Sequence, residues 1–303
     1  MIRFPLLAAL LLTGACSEPA APPPATASRF VPLSWPDLTE RARPDPDATI
    51  AYGSDAPQKV DVWLPSGPGP HRTVLMVHGG CWTTSIADRT LMHWIADDLR
   101  RDGYAVWNID YRGVDIPGGG YPGTFADAAA AADALRTHAK RFGLDAGKVV
   151  AVGHSAGAHL ALWLAARARL PASSPLRSPD PLPIARVISL GGLPDLEATA
   201  GASDNGCGTD VVGQLVGSGR ADLYADTSVT RLLPVGVPFD QVVGRDDRII
   251  PLRLPRDFDA RAKAAGDRAT LTIVPDTGHV ELIAPETPAW AEAKRRIAAG
   301  FAK

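Results

Sequence analysis

Cysteine is scarce, with three residues in a chain of 303. That excludes a scaffold built on disulfides and a cysteine-rich zinc site. A charge excess of either sign is also missing. Thirty-one Lys and Arg stand against 33 Asp and Glu, a formal net charge of −2. Without a basic surplus to hold a polyanion, general nucleic-acid binding is excluded. There is no H-E-x-x-H, no phosphate loop and no G-x-G-x-x-G in a dinucleotide setting, so no metal and no cofactor is expected. Hydrophobic residues make up 46% of the chain and charged residues 21%, which is ordinary for a folded globular protein and excludes wholesale disorder.

The first sixteen residues read as an address. Met1 to Arg3 carry one positive side chain, Phe4 to Leu12 are apolar apart from Pro5, and Thr13-Gly14-Ala15-Cys16 supplies small residues. A charged start, an apolar centre and a small-residue exit make a secretory signal. The apolar run falls far short of the roughly 20 residues that span a bilayer. Its end is similar to a bacterial lipobox, in which the cysteine is lipidated and becomes the mature N-terminus. Thr13 stands where such motifs usually have leucine, with Leu12 one residue earlier. The expectation is a lipoprotein signal over residues 1–16, lipid on Cys16 and anchoring at the bacterial envelope. Ser17 resembles the residue that directs such proteins to the outer membrane. The alternative is an ordinary cleaved signal with Cys16 incidental. Residues 17–46 read as a Pro/Ala-rich tether. Its first twelve residues, SEPAAPPPATAS, favour extended polyproline II and would span roughly 35 Å at about 3.1 Å per residue.

Residues 47–303 read as one domain. Apolar runs predict strands over 59–64, 72–77, 104–109, 148–152, 186–190, 239–243 and 270–274. Helical spacing covers 86–101, 124–142, 155–170, 255–265 and 288–299, with 195–234 irregular and Gly-rich. Alternating strands and helices predict an α/β fold, a mostly parallel twisted sheet with helices on both faces. Sites in such sheets lie at the carboxyl ends of the strands.

Four segments fall at those ends. Gly153-His154-Ser155-Ala156-Gly157 matches G-x-S-x-G between a strand and a helix, the context that gives the pattern meaning. The tight turn would project the Ser155 hydroxyl above the sheet. A serine is a weak nucleophile and needs a base. His279, in the loop after the last strand, sits at the correct edge for that role. The acid that orients it belongs between serine and histidine in the chain. Asp246 and Asp247 compete there, and position alone does not choose. Developing negative charge needs backbone donors. Gly79 and Gly80, after the 72–77 strand, and Ala156 can supply them. His78 reads as a residue shaping that loop, His159 as a packing or hydrogen-bonding residue, and Trp82 as either pocket wall or core.

Taken in order, HGGCW, Asp110-Tyr111-Arg112, GHSAGAHLA, GRDDRIIP and TGHVELIAP resemble the α/β-hydrolase superfamily. The similarity is to the esterase branch of hormone-sensitive-lipase-like enzymes, bacterial acetyl and feruloyl esterases and kynurenine formamidases. The resemblance covers roughly residues 47–300 and implies the α/β-hydrolase fold with a minimal cap. It implies a triad of Ser155, Asp247 and His279, because the family's acid lies three residues after the glycine of G-x-x-D-x-x-V-P. It implies a structural role for Asp110. The expected activity is hydrolysis of a small-molecule carboxylic ester. An amide hydrolase, arylformamidase or prolyl-oligopeptidase-like, would use the same triad. A non-catalytic envelope binding lipoprotein would be signalled by loss of a triad member, and none is lost. If lipid consumes Cys16, two cysteines remain, and an oxidising compartment favours pairing them. Cys81 and Cys207 leave the same rim of the predicted sheet, so a disulfide between them is expected.

Overall fold

The computed structural model describes residues 1–2 and 30–302. The signal segment beyond Ile2, Cys16 and the first part of the tether lie outside the described residues. Val31–Lys303 forms one compact unit. Its strands are β1 (Ala48–Ala51), β2 (Lys59–Trp63), β3 (His71–Val77), β4 (Ala105–Ile109), β5 (Leu144–His154), β6 (Ile184–Leu190), β7 (Phe239–Gly244) and β8 (Ala269–Val274). Its helices are α1 (Trp35–Thr39), α2 (His93–Arg101), α3 (Gly123–Phe142), α4 (Ala156–Ala166), α5 (Leu196–Ala200), α6 (Asp210–Val216), α7 (Arg253–Ala264) and α8 (Pro288–Phe301).

The strands form a single sheet in the order β1-β2-β4-β3-β5-β6-β7-β8. β2 runs antiparallel to both β1 and β4, and every pair from β4 to β8 is parallel. The run Val74-Leu75-Met76-Val77 shows why the sequence alternates so little there. All four residues are fully buried, because helices cover both faces of a central parallel strand. Leu75 and Val77 enter one core with α3 and α4, whereas Val74 and Met76 enter a second core with α2 and α8. A period of two thus sorts one apolar run onto two faces. α3 ends at Gly143, whose φ of 62° is the left-handed geometry that stops a helix cheaply.

Three expectations need correction. The helix predicted over 86–101 starts only at His93, after a 3-10 turn at Arg89–Met92. The preceding chain is drawn into turns because the Thr84 and Ser85 N–H groups donate to the Asp115 carboxylate, at 2.7 and 2.9 Å. The irregular region holds α5 and α6, and Val212, Leu215 and Val216 of α6 are buried in the core beneath. The tether does not extend to residue 46. Leu38 is fully buried, and the domain begins near Val31. Ser34 and Asp37 explain this: the Asp37 carboxylate accepts from the Ser34 N–H and hydroxyl, at 2.7 and 2.6 Å, at the start of α1. No helix among the described residues is long and apolar enough to cross a membrane.

Candidate active site

Ser155 occupies the single-residue joint between β5 and α4, with φ 54° and ψ −123°. A non-glycine residue there stores backbone strain of about 1–3 kcal/mol, held in place by its surroundings. The flanking glycines are required by contact. A Cβ on Gly157 would lie 2.2 Å from the His78 carbonyl oxygen, and one on Gly153 would lie 2.3 Å from the Gly157 carbonyl oxygen. Ala156 opens α4, so its N–H is among those with no intrahelical partner.

The loop after β3 lies directly against this joint. A Cβ on Gly79 would be 3.0 Å from the Ser155 Cβ. Gly80, Cys81 and Trp82 all have positive φ, at 103°, 51° and 56°. Such a run persists only if it is held from several sides. The Trp82 indole N–H donates to His159 Nδ1 at 3.2 Å, and Trp82 is fully buried, which makes it core. Cys81 is joined to Cys207 by a disulfide, with Cα atoms 5.4 Å apart and 126 residues of separation. His78 Nδ1 lies 2.7 Å from the Gly79 carbonyl oxygen, and its Nε2 lies 2.9 Å from Asp110 Oδ1. The same carboxylate accepts from Arg89 at 3.1 Å, Arg89 pairs with Asp61 at 2.8 Å, and Asp61 accepts from His93 at 2.9 Å. A buried chain of five ionisable side chains therefore runs from α2 to the Gly79 loop.

The acid loop follows β7. The His279 Nδ1–H donates to Asp247 Oδ2 at 2.7 Å, and both side chains are almost fully buried. The other carboxylate oxygen, Oδ1, accepts from the Ile249 and Ile250 N–H groups at 2.8 and 2.9 Å. Asp246 is exposed and meets the site only through its backbone. With Nδ1 engaged, Nε2 is the ring nitrogen left for proton transfer. The His279 ring lies beside Gly191, where a Cβ would approach it to 3.1 Å. The adjoining Leu190 carbonyl accepts the Ser155 N–H at 2.8 Å.

Two neighbouring histidines are kept neutral. Burial pushes His159 down to about 4, and its geometry agrees. Nδ1 accepts from Trp82 while Nε2–H donates to the Thr227 carbonyl at 2.8 Å, so a second proton would face the indole N–H. Burial, then the nearby His279, holds His154 well below the ordinary histidine value. An unfolded histidine takes its proton below about pH 6.5. The folded-state value is depressed, so the stability His159 contributes is complete above pH 6.5 and is lost as pH falls through 4. The loss amounts to about 3 kcal/mol from this group. Thermal denaturation from pH 7 to 4 is expected to show a falling Tm, and His159→Gln, which can still donate and accept, should flatten that fall.

Sequence reasoning missed Trp35 and Glu281 as neighbours of the site. Trp35 was legible only as part of a helix start, Ser34 with Asp37 and Pro36 in the first turn. Glu281 lay inside a motif but without an assigned role. Among the described residues no group of three or more His, Cys, Asp and Glu could hold a metal ion.

The sheet order, the strained serine after β5 and the aspartate-bound histidine after β8 define an α/β-hydrolase fold with a nucleophile elbow. Residues 60–260 match the BD-FAE family, about two thirds of the chain, and the protein belongs to that family. Among curated proteins, esterase LipC of Mycobacterium tuberculosis is 27% identical over 249 residues. That alignment covers 76% of this chain but only 58% of LipC, so the chain spans less than two thirds of that relative. Among solved structures, a truncated carbohydrate esterase from gut microbiota superposes with a TM-score of 0.71 at 18% identity, covering 84% of this chain and 96% of that one. Esterase B from Lactobacillus rhamnosis gives 0.70 at 20% identity, covering 85% and 88%. At these identities the structural likeness concerns the fold.

Proposed function

We propose that the protein hydrolyses small-molecule carboxylic esters through an acyl-enzyme. The observation that carries the reading is the Asp247–His279 pair, set on the same sheet rim as a serine in a strained strand-to-helix turn. His279 Nε2 takes the Ser155 proton as Oγ attacks the ester carbonyl. Asp247 fixes the tautomer and steadies the imidazolium. N–H groups of the Gly79–Gly80 loop and of Ala156 stabilise the oxyanion. The C–O bond to the alcohol breaks as His279 returns the proton to it. Water then enters, giving a proton to His279 and its oxygen to the acyl carbon; the bond from that carbon to Oγ breaks as His279 passes the proton to Oγ, which releases the acid and restores Ser155. LipC and esterase B are named as esterases, which supports an ester over an amide.

A panel of p-nitrophenyl esters run beside formyl-kynurenine and dipeptide anilides tests this. Turnover is expected on esters. Turnover confined to the formamide or anilides would make the protein an amide hydrolase, and none on any substrate would favour a binding role.

We also propose that the chain is exported and held at the bacterial envelope by lipid on Cys16. The charged–apolar–small pattern of residues 1–16 and the Pro/Ala spacer support this reading. Mass spectrometry of the mature N-terminus should find lipid on Cys16. An unmodified terminus beyond Cys16 would mean an exported enzyme without an anchor.

A further inference from the structure

The segment before β1 reaches the catalytic rim. Trp35, the first residue of α1, places its indole 6.1 Å from the His279 ring and 6.2 Å from the His154 ring, edge-on to both. Those two imidazoles are 4.5 Å apart. His154 Nε2–H donates to the His279 carbonyl at 3.2 Å. Three rings thus make one cluster in which His279 is buried and Trp35, 38% exposed, is the outer member.

The segment is clamped to the loop that carries His279. One carboxylate holds both sides: Glu281 Oε1 accepts the Leu33 N–H at 2.6 Å, and Oε2 accepts the Gly278 N–H at 3.0 Å. Glu281 is buried. A Cβ on Gly278 would meet the Pro32 Cβ at 3.0 Å, so the Pro32 ring is packed against the Gly278 backbone with no room for a side chain. Leu38, fully buried, anchors the segment below. The six other tryptophans of the chain are buried, each exposed by 7% or less. Trp35 is left partly open, beside the imidazole that must hand its proton to the departing alcohol.

From this we infer that residues 31–39 are part of the active site: Trp35 is a positioning residue that holds the His279 imidazole in register with Ser155 and walls the leaving-group side. The inference rests on the serine-hydrolase reading above.

The test compares full-length wild type, Trp35→Ala and Trp35→Phe. One assay follows the rate at which a fluorophosphonate labels Ser155, which needs His279 as base but no ester. A second measures kcat and KM on esters of one acyl group with alcohols of increasing size. A third records Tm. Trp35→Ala is expected to slow labelling and kcat about 10- to 100-fold, the scale of a small misplacement in the site. The effect should be greater for bulky alcohols, and Tm should move little because Leu38 and Glu281 still hold the segment. Trp35→Phe should restore most of the rate, since a ring remains against the histidines. Equal labelling and turnover in wild type and Trp35→Ala would overturn the inference. So would a loss in Trp35→Ala that is matched by a large fall in Tm and not rescued by phenylalanine. Failure of the wild type itself to label at Ser155 would instead overturn the serine-hydrolase reading.

Discussion

Replacing Ser155 with alanine is expected to lower kcat by at least about 10³-fold while leaving the fold intact. The substitution removes the attacking oxygen and nothing else of the machinery. The β5–α4 joint owes its shape to Gly153 and Gly157 and to the Leu190 carbonyl, which accepts a Ser155 N–H that alanine keeps. Residual turnover would report the oxyanion donors and binding alone. An organophosphate should label wild type at Ser155 and leave the alanine variant unmodified. Activity kept in that variant would remove the serine from the mechanism.

The second large effect separates two adjacent aspartates. Asp247→Asn is expected to cost on the order of 10³- to 10⁴-fold in kcat, because an amide facing His279 Nδ1 favours the wrong tautomer. Asp247 Oδ1 also accepts two backbone N–H groups. An asparagine can satisfy those with its oxygen only by turning its NH₂ toward the imidazole. Asp246→Asn should change kcat less than about tenfold, since surface substitutions away from a site are nearly neutral and this side chain is exposed. Measured kcat in the two variants ranks them, and the opposite order would move the acid to Asp246.

Much of this arrangement was legible in the sequence, for identifiable reasons. Buried parallel strands write themselves as unbroken apolar runs, as at Val74–Val77. The elbow needs two glycines at fixed spacing, and contact distances at both explain why. What escaped was whatever depends on contact across the chain. β1 is a four-residue edge strand with one buried residue, too short for a periodic signal. α5 and α6 are short and lie amid glycines, so their apolar faces do not stand out from the surrounding turns. The choice between Asp246 and Asp247 needed a family resemblance, because both side chains start from the same loop. Leu33 and Glu281 are 248 positions apart, and nothing in either local sequence announces the other.

The buried chain His93–Asp61–Arg89–Asp110–His78 limits how this protein can vary. Its members are nearly dry, with side-chain exposures between 1% and 15%. Loss of one partner from such a pairing leaves a charge with no solvent to receive it, at about 3–5 kcal/mol. A single change at any of the five positions is therefore expected to destabilise the protein, although several of them lie away from Ser155. In homologues the set should change together or not at all. A directed-evolution library that randomises the Gly79 loop should carry Asp61, Arg89 and His93 unchanged, because the loop inherits its shape from residues that an inspection of the catalytic pocket alone would leave free to mutate.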